Sequence, residues 1–281
     1  MKKIVALVLA TVLCIGCTLA FTSCNEAPVT KIGIQGGTTS EMYAKVLKNV
    51  EVVPFDTFGL AALDMKNGNV DYVMVDRTTA NALCNEIDGI EIVEIPFSSE
   101  YYGIGVDPAQ DSLKADINQV LAENALQIEA IKAKYAAGLE AAYVGVTSAT
   151  KNLDNTAGQL VVATNAEFPP FEYVETVDSV PTYYGIDMEI AALIAEELDL
   201  ELVIEDMAFD SVVAAVGKNG VDIAMSGITI TAERLAVINF TNPYYTESVV
   251  LVCKEDDTTF DALGTTGTVI DILNIICYPE D

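Results

Sequence analysis

Arg234 follows Thr229 and Gly227 in the run Ser226-Gly227-Ile228-Thr229-Ile230-Thr231-Ala232-Glu233-Arg234. Such a set can hold a carboxylate: the guanidinium supplies a planar fork of donors, the threonine a hydroxyl, and the glycine lets a small molecule come close to the main chain. Asp76 ends the apolar run Val70-Asp71-Tyr72-Val73-Met74-Val75 and could accept from an ammonium group. Arg234 and Asp76 together suit a zwitterion. Phe168, in Glu167-Phe168-Pro169-Pro170-Phe171, and Phe209 each follow a strand-like run and could stack on a ligand side chain. Every one of these residues also has a plainer use. Isolated arginines pair on helix surfaces, an aspartate ahead of Arg77-Thr78-Thr79 caps a helix, and phenylalanines fill cores. The residue types alone leave both uses open.

The chain contains no histidine and no tryptophan. Ser-His-Asp and Cys-His catalysis and histidine-based zinc sites are therefore excluded, and no cofactor or metal is expected. Its 14 basic and 42 acidic residues give a formal charge of -28, which repels nucleic acid and anionic lipid surfaces. Of the six cysteines, Cys14, Cys17 and Cys24 lie at the amino terminus, and Cys84, Cys253 and Cys277 beyond it. That spacing carries neither a metal pattern nor a disulfide framework; buried free thiols are expected at Cys84 and Cys253.

The elements that must position the polar set alternate in type. Lys31-Ile32-Gly33-Ile34 opens a strand that runs into Gln35-Gly36-Gly37-Thr38-Thr39, and Ser40 to Leu47 has a hydroxyl-rich helix start. A strand at 50–53, a helix at 57–66 closed by Asn67-Gly68, and a strand leading to Asp76 follow. The second half repeats the order: a strand at 160–164, an amphipathic helix at 187–198, a strand at 202–204, a helix at 209–216, and Val221-Asp222-Ile223-Ala224-Met225 leading to Ser226. The stretches Asn67-Gly68-Asn69-Val70-Asp71 and Asn219-Gly220-Val221-Asp222 are one unit used twice. Alternating strands and helices predict parallel βαβ units, with ligands in the crevice beyond the carboxyl ends of the strands. Two facing units make a cleft.

Met1-Lys2-Lys3 and the apolar run from Ile4 to Phe21 have the form of a secretory signal, expected over 1–23. Small residues precede Cys24, which is expected to become the lipidated first residue of the mature chain. An uncleaved membrane anchor is the alternative.

Four motifs carry a resemblance. They are Ala163-Thr164-Asn165-Ala166-Glu167-Phe168-Pro169-Pro170-Phe171-Glu172-Tyr173, Tyr184-Gly185-Ile186-Asp187-Met188-Glu189, the run from Ala224 to Arg234, and Phe240-Thr241-Asn242-Pro243-Tyr244-Tyr245. In order and spacing they resemble the first lobe of the family 3 bacterial extracellular solute-binding proteins, the polar-amino-acid receptors of ABC importers. Residues 31–135 resemble the rest of the same fold. The resemblance implies an α/β, two-lobed fold of the type II periplasmic-binding-protein kind, circularly permuted or a truncated tandem. The second lobe is expected at 31–100, a hinge return strand and closing helices at 101–136, a linker at 137–159, the first lobe at 160–254, and a divergent tail at 255–281. It implies that Gly227, Thr229 and Arg234 hold an α-carboxylate with help from Thr39, that Asp76 takes the α-ammonium, and that Phe168 and Phe209 flank the side chain. Asn165 stands where relatives that bind basic or amide side chains often carry Asp, which favours a neutral polar amino acid. The partners implied are a free amino acid, an ABC permease and, through a lipid anchor, the outer face of a membrane; nucleic acid is not one. The other functions considered are an extracytoplasmic sensor, a dehydratase-like enzyme with Glu167 as its acid or base, and an inactive truncated copy.

Overall fold

A computed structural model describes residues 29–152, 157–264 and 266–278. Residues 1–23, expected to be a signal sequence, and Cys24 lie outside the described residues. In the first half the chain forms β1 (Thr30–Gln35), α1 (Thr39–Lys45), β2 (Val50–Phe55), α2 (Phe58–Lys66), β3 (Tyr72–Asp76), α3 (Arg77–Glu86) and β4 (Ile90–Val93). Hydroxyls start the first two of these helices: Thr38 accepts from the Glu41 amide and Thr57 from the Leu60 amide, each satisfying one of the orphan donors of a first turn. β1 runs parallel to β2, with Thr30 opposite Val50 and Gln35 opposite Phe55, and parallel to β3 on its other side.

The chain then passes through β5 (Glu100–Tyr102) and β6 (Gly105–Val106) into α4 (Asp111–Glu123) and α5 (Ala125–Ala136). The second half forms β7 (Gln159–Thr164), β8 (Glu167–Phe168), β9 (Glu172–Val177), β10 (Val180–Tyr184), α6 (Ile186–Glu197), β11 (Glu201–Asp206), α7 (Phe209–Ala215), β12 (Ile223–Ala224), α8 (Ala232–Leu235) and β13 (Asn239–Phe240). It ends with β14 (Tyr245–Glu247), β15 (Val249–Lys254) and α9 (Val269–Cys277). β7 lies parallel to β11 and to β12, as alternating strands and helices predict. β8, β9 and β10 form a separate antiparallel sheet.

Each five-stranded sheet holds one strand from the other half. The first has the order β2-β1-β3-β15-β4 and the second β11-β7-β12-β6-β13, with β15 and β6 antiparallel to their neighbours. Between the sheets β5 and β14 pair antiparallel, Tyr102 opposite Tyr245 and Glu100 opposite Glu247. Two strands therefore cross between the lobes side by side, and both sheets are completed within one chain. The topology is the two-lobed α/β fold expected. The expected boundary at 254 falls differently, because β15 belongs to the sheet of the first half. Five of its six residues, Val249 to Cys253, are buried; an unbroken apolar run marks a central strand but not the sheet that receives it.

The closing helices lie on the second-half lobe. Tyr135 of α5 donates to Glu189 of α6 at 2.7 Å and accepts from the Gly185 amide at 2.9 Å. Gly185 precedes α6 with φ +126, and a Cβ there would stand 2.0 Å from the Phe171 carbonyl oxygen, so only glycine fits. Of the segment expected to diverge, 255–281, the described residues 266–278 are built into the other lobe. Thr268 and Asp271 form a capping box at the start of α9, and Ile272 and Ile276 are buried against Ile32, Tyr72 and Met74. Asn49 and Thr30 donate to the carbonyls of Cys277 and Ile276, tying off the end of this helix. Cys253 and Cys277 are buried thiols, whereas Cys84 is only partly buried.

Candidate functional site

One cavity lies between the lobes. From the first half its wall takes Gln35, Thr38 and Thr39 at the β1–α1 turn, Phe58 at the start of α2 and Asp76 at the end of β3; from the second half come Phe168, Phe209, Ser226, Gly227, Thr229 and Arg234. All of these stand at or just beyond the carboxyl ends of strands or at helix starts, where the crevice of an open α/β sheet lies. The open space is about 10 Å³, room for a single water. Anything larger than that enters only if the two walls move apart.

Asp76 is 5% exposed and is the N-cap residue of α3, yet its side chain makes no capping hydrogen bond. Its Oδ1 is buried without a hydrogen-bond partner. Burial first, and then the charges of Glu100 and Glu247, push the Asp76 carboxyl well above the usual carboxylate range, against the Tyr102 hydroxyl, which draws it down. A buried acceptor left unpaired at a cavity wall is costly, and a cationic group in the cavity removes that cost.

Arg234 is half-buried at the opposite side, on the short helix α8 capped by Thr231. Its Nη1 donates to the Thr229 carbonyl at 2.9 Å and its Nη2 to the Gly37 carbonyl across the cleft at 3.1 Å. Its guanidinium carbon sits 5.6 Å from the centre of the Phe209 ring, a cation–π distance. Burial pushes the guanidinium down while Glu100 and Asp76 hold it up.

Gly227 takes φ +54, and a Cβ there would meet the Phe168 ring at 2.7 Å and Tyr102 at 3.2 Å. Its amide donates to Asp187 Oδ2 at 2.9 Å, so the glycine serves the shape of the wall and its N–H is already spent. Gly227→Ala is expected to destabilise the chain by about 1–3 kcal/mol through left-handed backbone and ring displacement, read as a lower midpoint in urea. An unchanged midpoint would show that the Phe168 ring yields freely.

Of the other expected site residues, Thr39 and Thr229 line the cavity, but both hydroxyls donate to Glu100. Phe168 meets Phe58 across the cleft with ring centres 5.8 Å apart, so the aromatic wall has three members. Asn165 stands behind the wall: its Nδ2 donates to the Met207 carbonyl and its Oδ1 accepts from Gln35, at 3.0 and 2.9 Å. Glu167, the acid–base candidate, is exposed and outside the wall. Phe58, Gln35 and Thr38 were not singled out from sequence. Phe58 reads as one apolar position of a periodic helix, and only the fold brings it opposite a residue 110 positions away. Among the described residues no group of His, Cys, Asp or Glu is arranged to hold a metal ion, and no helix is long and apolar enough to cross a membrane.

Residues 160–274 match the model of the bacterial extracellular solute-binding proteins, family 3. The arginine-binding extracellular protein ArtP of Bacillus subtilis is 36% identical over 98 residues, 35% of this chain and 37% of that protein. Cyclohexadienyl dehydratase of Pseudomonas aeruginosa is 31% identical over 102 residues, 36% and 37% of the two chains. Among solved structures, the amino acid ABC transporter substrate-binding protein AbpA of Streptococcus pneumoniae, bound to L-arginine, is 46% identical over 32% of this chain and 38% of its own, with a TM-score of 0.30. The chain thus spans well under two thirds of the length of these relatives. The matched segment runs from β7 into α9 and carries Phe168, Phe209, Gly227, Thr229 and Arg234 of the cavity wall, so this part of the chain is similar to the family 3 bacterial extracellular solute-binding proteins.

Proposed function

We propose that this chain is an extracytoplasmic solute-binding protein that closes two lobes on a free amino acid and hands it to an ABC permease, without acting on it chemically. One observation supports this above the others: a buried, unpartnered carboxylate oxygen of Asp76 and the guanidinium of Arg234 face one interlobe cavity. An α-ammonium at Asp76 and an α-carboxylate at Arg234 complete both groups. The side chain then lies among Phe58, Phe168 and Phe209 with the Gln35 amide beside it. Apart from Asp76 the residues lining the cavity include no carboxylate, which suits a neutral polar side chain. Export and lipid attachment at Cys24 would place the protein on the outer face of a membrane.

A thermal-shift screen of the purified chain against the twenty common amino acids tests the assignment, because a ligand that binds only the folded state raises its melting temperature by mass action. A shift is expected for one or a few amino acids, with glutamine, asparagine, serine or threonine ahead of L-arginine, and it is expected to vanish in Arg234→Ala. L-arginine ahead of these would overturn the neutral preference alone. A cooperative melt that no amino acid moves would overturn the function.

A further inference from the structure

Glu100 takes no part in the site as expected from sequence, yet it touches the cleft from both sides. It lies on β5, one of the two crossing strands, and is 2% exposed. Its Oε2 accepts from Thr39 Oγ1 of the first half at 3.0 Å and from Thr229 Oγ1 of the second half, while Ser98 Oγ donates to Oε1. A threonine hydroxyl has one hydrogen to give. With both given to Glu100, Thr39 and Thr229 can meet a ligand only as acceptors. A ligand carboxylate at that end has Arg234, the one cation lining the cavity, and finds a buried carboxylate behind the two hydroxyls.

We infer that Glu100 is a specificity-determining residue: by holding both threonine hydrogens it turns the donors of a carboxylate pocket into acceptors, and so shifts the site from carboxylate recognition towards ammonium recognition. The inference rests on the amino-acid-binding function proposed above. It separates two kinds of ligand that differ by one group, an amino acid and the amine that lacks its α-carboxylate. The amine loses Arg234 but avoids the Glu100 charge, so in the wild type the two are closer in affinity than a dedicated carboxylate pocket would leave them.

The test is titration calorimetry of the full chain with three pairs of probes: L-arginine and agmatine, L-glutamine and 4-aminobutanamide, L-serine and ethanolamine. The readout is the ratio of amine Kd to amino-acid Kd within a pair. Glu100→Gln removes the charge and releases at least one threonine hydrogen, and is expected to raise the ratio about tenfold, the worth of one charge-assisted hydrogen bond. A role for Glu100 in folding alone would weaken both members of a pair equally and leave the ratio where it was, which overturns the inference. Thr39→Val supplies a second arm should Glu100→Gln not melt cooperatively. Its hydroxyl hydrogen being already spent, its loss is expected to leave the ratio within about twofold; a ratio falling in favour of the amine would show that Thr39 donates to the ligand carboxylate and overturn the inference. Wild-type chain that binds none of the six probes would overturn the binding function for these ligand types and the inference with it, whereas binding with an unmoved ratio in Glu100→Gln overturns the inference alone.

Discussion

Asp76→Asn is expected to raise the melting temperature of the ligand-free chain and at the same time to abolish its response to amino acids. The carboxyl is buried, its Oδ1 has no hydrogen-bond partner, and burial together with the like charges of Glu100 and Glu247 outweighs the Tyr102 hydroxyl, which acts the other way. A group whose pKa is raised on folding keeps its proton in the native state at pH values where the unfolded chain has lost it. Stability then falls as pH rises above the ordinary carboxylate range. The amide carries no charge to desolvate, so the variant gains relative to wild type, and more so at neutral than at acidic pH. A relief of about 1–3 kcal/mol, typical of an unsatisfied buried polar group, moves the midpoint by about 2–9 °C in a chain of this size. The ligand response goes the opposite way, because an amide is a poor partner for a buried ammonium; the loss expected is about 100-fold or more in Kd. Melting curves at pH 5 and pH 8 with and without the best amino acid of the screen read both effects. A variant less stable than wild type at pH 8, or one that keeps its ligand response, would remove Asp76 from the site.

A second large effect is expected from Glu172→Gln, and here the observable is pH dependence. Glu172 and Asp187 are wholly buried beneath the Ser226-Gly227 turn. Ser226 Oγ donates to Glu172 Oε1 at 2.7 Å, while Oε2 is left without a partner. The Gly227 amide and the Tyr244 hydroxyl donate to Asp187 at 2.9 and 2.7 Å. Burial pushes Asp187 up to about 6, and burial together with the Asp187 charge pushes Glu172 well up. Both shifts have one sign: the native state holds protons that the unfolded state has released. The chain therefore has this contribution in full below pH 3.8 and loses it progressively as pH rises through about 6. Removing one of the two titrating groups is expected to flatten that fall. Melting temperature measured from pH 4 to pH 8 should drop less in Glu172→Gln than in wild type, with the gap opening across this interval by several degrees. Parallel curves would mean that the pair does not share a buried negative charge.

The two variants probe a common design. The turn that carries Ser226 and Gly227 to the cavity is held from below by carboxylates, and the cavity is faced by a further carboxylate at Asp76. Ion pairing relieves other acids: Lys134 meets Glu189, which is 6% exposed at its side chain, at 2.5 Å. Glu172, Asp187 and Asp76 have no such cation among the described salt bridges. Strain of this kind concentrates where a site is built.

Much of this molecule is set by local sequence. Val50 to Phe55, Phe58 to Lys66 and Ile186 to Glu197 form a strand and two helices because their apolar spacing, together with the Thr57 cap and Gly68 stop of the first helix, acts within a few residues. The same local signals bring Asp76, Ser226 and Thr229 to or beyond the ends of buried strands, and the four motifs from Ala163 to Tyr245 carry the resemblance to the family. The tertiary structure decided the rest. It put β15 into the sheet of the other half and packed α9 onto that sheet, because a run buried on both faces has no polar side to declare its neighbours. It set Phe58 against Phe168, moved Asn165 behind the cavity wall, and brought Glu100 to Thr39 and Thr229. Those contacts join residues 61 to 130 positions apart, and no periodicity within a strand or helix encodes which residue of another lobe a side chain will meet; that is fixed only when both lobes and the strands crossing between them pack at once.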